Sequence, residues 1–353
     1  MFRPGEIWLD TAGKPIAIHG GSIYHQDGEF FWYGENKERT TGKDDVWHWG
    51  VKCYSSKDLY NWDDRGLIIP PVLEDPLSPL HPSRMMDRPH IIFNPRTRKY
   101  VCWIKVMGEE AQTRSVLTAD SLLGPYEVLR TEQLPLGMSA GDFDLVVDPS
   151  SGSGYMYFER VHSDMICADL THDYTDFTGA FSAHFPHPGV PSVREAPAYF
   201  SRNGMHYLLT SGTTHYFPNP SEVAIGDGFH GPWTVLGDLH PADATRTSFN
   251  SQISSVFKHP GKRDLYIAIA DRWISLAGEN FESGDLSRQV WAIFEKAFAS
   301  PKRELTAEER QLAHALFASL DTSQSGHVWL PLRFDGDRPY IDWRVEWALD
   351  EFE

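Results

Sequence analysis

A chain of 353 residues is long enough to bury a large core, and a single domain is expected. Its 49 acidic against 32 basic residues leave a formal charge of −17, which opposes binding to nucleic acid or an anionic membrane and suits a neutral ligand. Aromatic residues at 13% exceed what a core alone needs, and they fit a pocket in which sugar rings stack.

Residues 1–8 carry no apolar signal core and pass at once into strand-like sequence, and no stretch reaches membrane-span length, which predicts a cytoplasmic protein. From there, five times, a polar residue stands ahead of a short β-hairpin rich in Tyr, Phe and Trp. His19 leads the first hairpin (19–24 and 30–35, turn at 26–28), Asp87 the second (87–93 and 100–103) and Asp142 the third (142–147 and 155–158). Glu195 leads the fourth (195–200 and 206–209) and Gln252 the fifth (252–257 and 265–269). Between them lie outer hairpins marked by turn residues and an aromatic, around 58–62, 120–126, 169–177 and 228–233. Inner plus outer hairpins make four-stranded blades, and the repeat of roughly 50–70 residues predicts an all-β, five-bladed β-propeller.

The pattern breaks once, between about Ala277 and Ser325. Leu286, Val290, Ile293, Phe294 and Ala297 recur at helical spacing, and Thr306-Ala307-Glu308-Glu309 makes a capping box ahead of Leu312, Ala315 and Leu316. Two helices inserted late in the fifth blade are expected, as a lid, a dimer contact or a decoration. A last hairpin over 327–332 and 340–343 is expected to close the ring with strands near the N-terminus.

In a propeller the leading residues of the inner hairpins gather at one mouth of the axis. His19, Asp87, Asp142, Glu195 and Gln252 are costly to bury without solvent or partners, so the cluster points to a site. Cys53, Cys102 and Cys167 are an odd, scattered set and read as small buried hydrophobes. The histidines show no zinc-ligand spacing, and His25, His48, His215 and His230 read as turn or surface residues; no metal and no cofactor is expected.

Glycoside hydrolysis needs one carboxylic acid held protonated to deliver a proton to the leaving oxygen. Glu195 is the best candidate: it lies between Arg194 and the apolar run Ala196-Pro197-Ala198-Tyr199, where burial near other carboxylates favours its neutral form. A salt bridge to Arg194 is the bland alternative. For inversion, a group about 6.5–9.5 Å from the acid must activate water, and Gln252 or Asp87 is expected at that separation from Glu195. Glu35, Asn36 and Arg88 are candidate hydroxyl ligands; Tyr199, Trp103 or Trp329 are candidates for a stacking floor.

Arg194-Glu195-Ala196-Pro197 at the start of blade four resembles glycoside hydrolase family 43. His19-Gly20-Gly21 with Trp32-Tyr33-Gly34-Glu35-Asn36, then Asp87-Arg88-Pro89, Ser251-Gln252 and Val328-Trp329-Leu330-Pro331-Leu332 resemble its exo-β-1,3-galactanase branch. The resemblance implies inverting release of galactose from the non-reducing end of a β-1,3-galactan chain. It casts Glu195 as general acid and Asp142 as the aspartate that tunes and orients it. Most of the family places a base aspartate at the front of blade one; here His19-Gly20-Gly21 stands there, as in the branch, whose blade-five glutamine, matched by Gln252, is assigned to activate water. A neutral amide needs its imidic tautomer or a relay to a carboxylate for that task, and Asp87 is the candidate relay. The branch carries glutamate where this chain has Asp87, which shortens the reach to a ring hydroxyl. The alternatives are a β-galactofuranosidase or α-L-arabinofuranosidase of the same family and, in another class, a sugar-binding propeller without catalysis. With no carbohydrate-binding domain in the sequence, galacto-oligosaccharides are the expected substrate.

Overall fold

The computed structural model describes residues 1–274 and 284–353. Five sheets follow one another along the chain, each opened by one of the five predicted hairpins. The first contains β1 (Ile18–Gln26), β2 (Glu29–Asn36), β3 (Val51–Ser56) and β4 (Asp63–Ile69). The second contains β5 (Met85–Asn94), β6 (Lys99–Met107), β7 (Gln112–Ala119) and β8 (Glu127–Gln133), and the third β9 (Ala140–Val147), β10 (Gly154–Arg160), β11 (Asp164–Leu170) and β12 (Phe177–His184). The fourth contains β13 (Arg194–Arg202), β14 (Met205–Gly212), β15 (Glu222–Gly226) and β16 (Trp233–Asp238). The fifth has three strands, β17 (Gln252–Lys258), β18 (Tyr266–Arg272) and β19 (Gly326–Pro331). The fold is a five-bladed β-propeller. Tight turns at Asp27-Gly28 and Asn203-Gly204 have positive φ at both positions, the geometry that matches strand twist in a two-residue hairpin loop.

The expected closing hairpin is divided. Residues 326–331 join the fifth sheet as β19, while among the described residues β20 (Arg333–Asp335) and β21 (Arg338–Tyr340) form a separate two-stranded pair. Phe2 is bridged to Trp347, and its ring stacks on that indole at 4.2 Å. Two helices fall in the late insertion, α1 (Asp285–Ala297) and α2 (Ala307–Ala318), the latter started by the predicted Thr306/Glu309 capping box. The beginning of the expected insertion, at residues 277–283, lies outside the described residues. Among those described, no helix is long and apolar enough to cross a membrane.

Contacts divide the chain into two compact units: Ile7–Val161 with Ile166–Ala183, and Met1–Glu6 with His162–Met165 and His184–Glu353. In the first, blades pack face to face, so the central strands are apolar on both sides. From β6, Cys102, Ile104 and Val106 join a core with the first blade, and Val101 and Trp103 join one with the third. Lys105 shares the second of these faces by the same period of two, and that places a cation among the third blade's side chains. Cys53, Cys102 and Cys167 are all buried in strands.

Candidate active site

A β-bulge follows the leading polar residue of several hairpins. The register slips between His19 and Ser22, between Asp87 and His90 and between Glu195 and Ala198. At each slip the next residue has positive φ: Gly20 (64°), Arg88 (48°) and Ala196 (48°). A bulge adds one residue and re-aims the side chain beside it. Only the first of these three positions is glycine, so Arg88 and Ala196 are held left-handed by their surroundings at a cost of order 1–3 kcal/mol each.

In the unit of the first three blades, Asp87 and Asp142 converge on one ammonium group. Lys105 Nζ lies 3.2 Å from Asp87 Oδ2 and 2.7 Å from Asp142 Oδ1, and Arg88 Nε lies 3.0 Å from Asp142 Oδ2. Asp87 Oδ1 accepts from the Trp47 indole at 2.9 Å, while Lys37 sits over the Trp47 ring and 3.6 Å from Glu35. All of these carboxylates and cations are buried, which is tolerable only because each has a counter-charge. Burial pushes both aspartates upward, but Lys105 with Lys37 and the Trp47 hydrogen bond outweigh it for Asp87, and Arg88 with Lys105 for Asp142. Both carboxyls are therefore held below their ordinary value, as fixed anions. Lys105 is raised in return: burial opposes its charge, and Asp142 and Asp87 more than compensate.

In the other unit, Glu195 and Ser211 face each other across β13 and β14, and Gln252 at the start of β17 reaches both. Its Nε2 donates to Ser211 Oγ at 2.9 Å and to Glu195 Oε1 at 3.4 Å, while its Oε1 accepts from the Trp273 indole at 3.0 Å. Glu195 and Gln252 are only half-buried. Arg194 points to the opposite face, as neighbours in a strand must. Its guanidinium donates to Thr210 and lies 3.8 Å from Glu222, so the bridge expected of a blade-edge Arg194–Glu195 pair is made to Glu222 instead. Beside Gln252 is a cavity of about 10 Å³, lined by Ser211, Asp271 and Trp273 among others, close to the size one water needs.

The structure thus brings Asp87, Asp142 and Arg88 together in one unit and Glu195 and Gln252 in the other. It corrects several expectations. Gln252 does not stand 6.5–9.5 Å from the acid; a hydrogen bond of 3.4 Å joins the two side chains. Trp103 cannot floor a sugar: it is fully buried between blades two and three, where its indole donates to Tyr174 O at 2.9 Å. Trp329 is likewise buried, against Phe2. Tyr199 is turned to the far end of its blade, stacked on Phe229 with its hydroxyl 2.7 Å from His206 Nδ1. The Asn36 amide is spent locally, accepting from the Glu38 N–H at 3.0 Å and donating to its carboxylate. His19 is buried opposite Glu35 in the β1–β2 register, and Glu35 is buried with Lys37. His48 is no surface residue, since it bonds His81 O and the Gly50 N–H from the interior. Sequence reasoning missed Lys105, Lys37, Trp47, Ser211 and Trp273. A lysine between Ile104 and Val106 in an apolar strand was the one local signal among them.

The model of glycosyl hydrolases family 43 matches residues 15–273, well over half of the chain. The chain belongs to that family. Solved members of family 43 share its fold. A β-1,3-galactosidase is 29% identical with a TM-score of 0.79 over 99% of this chain, which spans 64% of that protein's length. A second β-1,3-galactosidase, solved with galactodeoxynojirimycin, is 23% identical with a TM-score of 0.77 over 99% of this chain and 100% of that one. The exo-β-1,3-galactanase of Phanerochaete chrysosporium, solved with β-1,3-galactotriose, is 24% identical with a TM-score of 0.76 over 99% of this chain and 68% of that one. Among curated proteins, none matches this family 43 chain.

Proposed function

We propose that this protein is an inverting, exo-acting glycoside hydrolase that releases galactose from the non-reducing end of β-1,3-linked galacto-oligosaccharides. One observation carries the reading: a half-exposed carboxyl, Glu195, has one oxygen held by an amide that is itself fixed by Trp273 and Ser211. An amide on one carboxyl oxygen orients the group for delivery of a proton to a leaving group, the task of a general acid. The 29% identity to a β-1,3-galactosidase supports the choice of sugar.

In this scheme Gln252 holds the attacking water through its amide oxygen. The bond to Glu195, at 3.4 Å, is longer than those to Ser211 and Trp273. Asp87 and Arg88 take sugar hydroxyls. Asp142, with both oxygens committed to Arg88 and Lys105, serves as a fixed charge and not as a proton carrier.

The test is to incubate the protein with β-1,3-galactobiose, an aryl β-galactopyranoside and an aryl β-galactofuranoside and follow the first minutes by NMR. Galactose released initially as the α-anomer, from the pyranosides, is expected. A β-anomer overturns inversion, preference for the furanoside moves the enzyme to the furanosidases, and binding without hydrolysis makes the protein a sugar-binding propeller.

A further inference from the structure

The orientation of the Gln252 amide is fixed by chemistry and not by shape alone. An indole N–H can only donate, so the atom 3.0 Å from Trp273 Nε1 must be the amide oxygen. The nitrogen then falls 2.9 Å from Ser211 Oγ and 3.4 Å from Glu195 Oε1. The reversed amide would set its N–H against the indole N–H and turn its carbonyl on Glu195.

Helix α1 backs Trp273, which enforces this choice, and the glycine that follows Ser211. Trp273 follows β18 and is buried in one apolar cluster with Val190, Phe217 and the α1 residues Val290 and Phe294. Its carbonyl accepts from Ser325 Oγ at 3.0 Å, where the chain returns from the insertion. On the other side, Ser211 precedes Gly212, and a Cβ at Gly212 would lie 2.9 Å from the ring of Trp291 on α1 and 2.8 Å from Pro191 O. Asn219 holds the same glycine by its N–H at 2.7 Å and its carbonyl at 2.9 Å.

We propose that Trp273 is a positioning residue that keeps the Gln252 amide in one orientation, and that α1 of the late insertion is the support for this device. The proposal rests on the place given to Gln252 in the reaction. With the indole N–H gone, the donor that enforces the present orientation is lost, and the reversed amide no longer sets N–H against N–H. In the reversed one the carbonyl accepts the proton of a neutral Glu195, which stabilises the acid's neutral form and diverts its proton from the leaving oxygen.

The experiment is Trp273→Phe, which keeps an aromatic ring in the cluster and removes only the donor. A fall in kcat of about 10–100-fold is expected, with KM within about threefold and the alkaline limb of the kcat profile moved to higher pH. A structure of the variant should show Gln252 Oε1 turned toward Glu195 or Ser211. Unchanged kcat and an unmoved limb overturn the proposal. If the wild-type protein hydrolyses no glycoside, the proposed function falls, and the variant's structure still decides the positioning claim: a turned amide supports it and an unturned one overturns it. Should Trp273→Phe not fold, Trp273→Met also removes the donor while filling the cluster and must shift the same limb upward; an unmoved limb overturns the idea. For the helix, Phe294→Ala is expected to lower kcat, and the double variant with Trp273→Phe to be no slower than Trp273→Phe alone. Wild-type kcat in Phe294→Ala, or additive losses, removes α1 from the device.

Discussion

In blades one to three, Asp87 and Asp142 are buried against Lys105 and Arg88, and their oxygens lie against these cations or the Trp47 indole N–H. In blades four and five, Glu195 meets an amide and Gln252 meets an indole and a hydroxyl, with no formal charge among those three partners. The difference lies in what a proton can do. A carboxylate locked to a cation resists protonation until strongly acidic pH and is suited to accept hydrogen bonds from hydroxyl groups. A carboxyl whose hydrogen-bond partner is a neutral amide suits the part proposed for Glu195, an acid that gives its proton away and takes it back.

The largest expected effect breaks the second cluster. Glu195→Gln should lower kcat on an unactivated disaccharide by about 10³-fold or more while leaving KM nearly unchanged, because the shape stays and the proton goes. The loss should shrink on an aryl galactoside with a good leaving group, and near-normal turnover of the disaccharide would show that Glu195 is not the acid.

Lys105→Met breaks the first cluster and should cost about 3–5 kcal/mol at neutral pH, since two buried carboxylates lose their shared counter-charge. The pH dependence gives the mechanism away. In the wild type both aspartates are held below their unfolded value of about 3.9, so their stabilisation is present above that value and is lost only as pH falls through the lower folded one. In the variant Asp87 loses the largest of its lowering partners while Asp142 keeps Arg88, so the folded value of Asp87 rises and the stability lost relative to the wild type should be smaller at pH 4 than at pH 7. Urea unfolding at both values checks the sign, and an equal loss at each pH would mean that Lys105 acts by packing alone.

A direct contrast of the clusters comes from Gln252→Ala against Asp87→Asn. The first should cost about 10²-fold in kcat, and the second about tenfold, mainly in KM, because the proposal gives Asp87 a sugar hydroxyl and an asparagine there keeps an acceptor for the Trp47 bond. Azide should not rescue Asp87→Ala. Rescue, or a larger kcat loss at Asp87, would transfer the water-activating role to that residue. Gln252→Glu with retained activity and a shifted pH optimum would point to the imidic form of the amide.

The repeat of a polar leader before an aromatic hairpin was readable because it is local: leader, strand, turn and strand lie within about twenty residues, and alternation exposes the pleat. The leaders in each unit were found for the same reason. Their partners were not, because Gln252 is held by residues 21 and 41 positions away and Asp87 by one 40 away. Nor did any residue type announce the bulges at Arg88 and Ala196, where non-glycine residues take positive φ under tertiary pressure. Aromatics misled for a related reason. Blade packing consumes large flat side chains as readily as a sugar site does, and composition does not separate the two uses.

Trp103 and Trp273 make the smallest and most matched test of that distinction. Each indole donates one hydrogen bond, to Tyr174 O at 2.9 Å and to Gln252 Oε1 at 3.0 Å, and each loses it on change to Phe. Trp103→Phe strands a backbone carbonyl in the core between two blades and should cost about 1–3 kcal/mol of stability. Because Trp103 lies in the apolar core between blades two and three and its indole bond goes to Tyr174 O, kcat, KM and the pH profile should stay at wild-type values in a melt-corrected assay. A changed KM in Trp103→Phe would return that ring to the sugar site, against its burial; an unchanged one leaves the loss in the fold and sets the baseline against which the rate loss in Trp273→Phe is read.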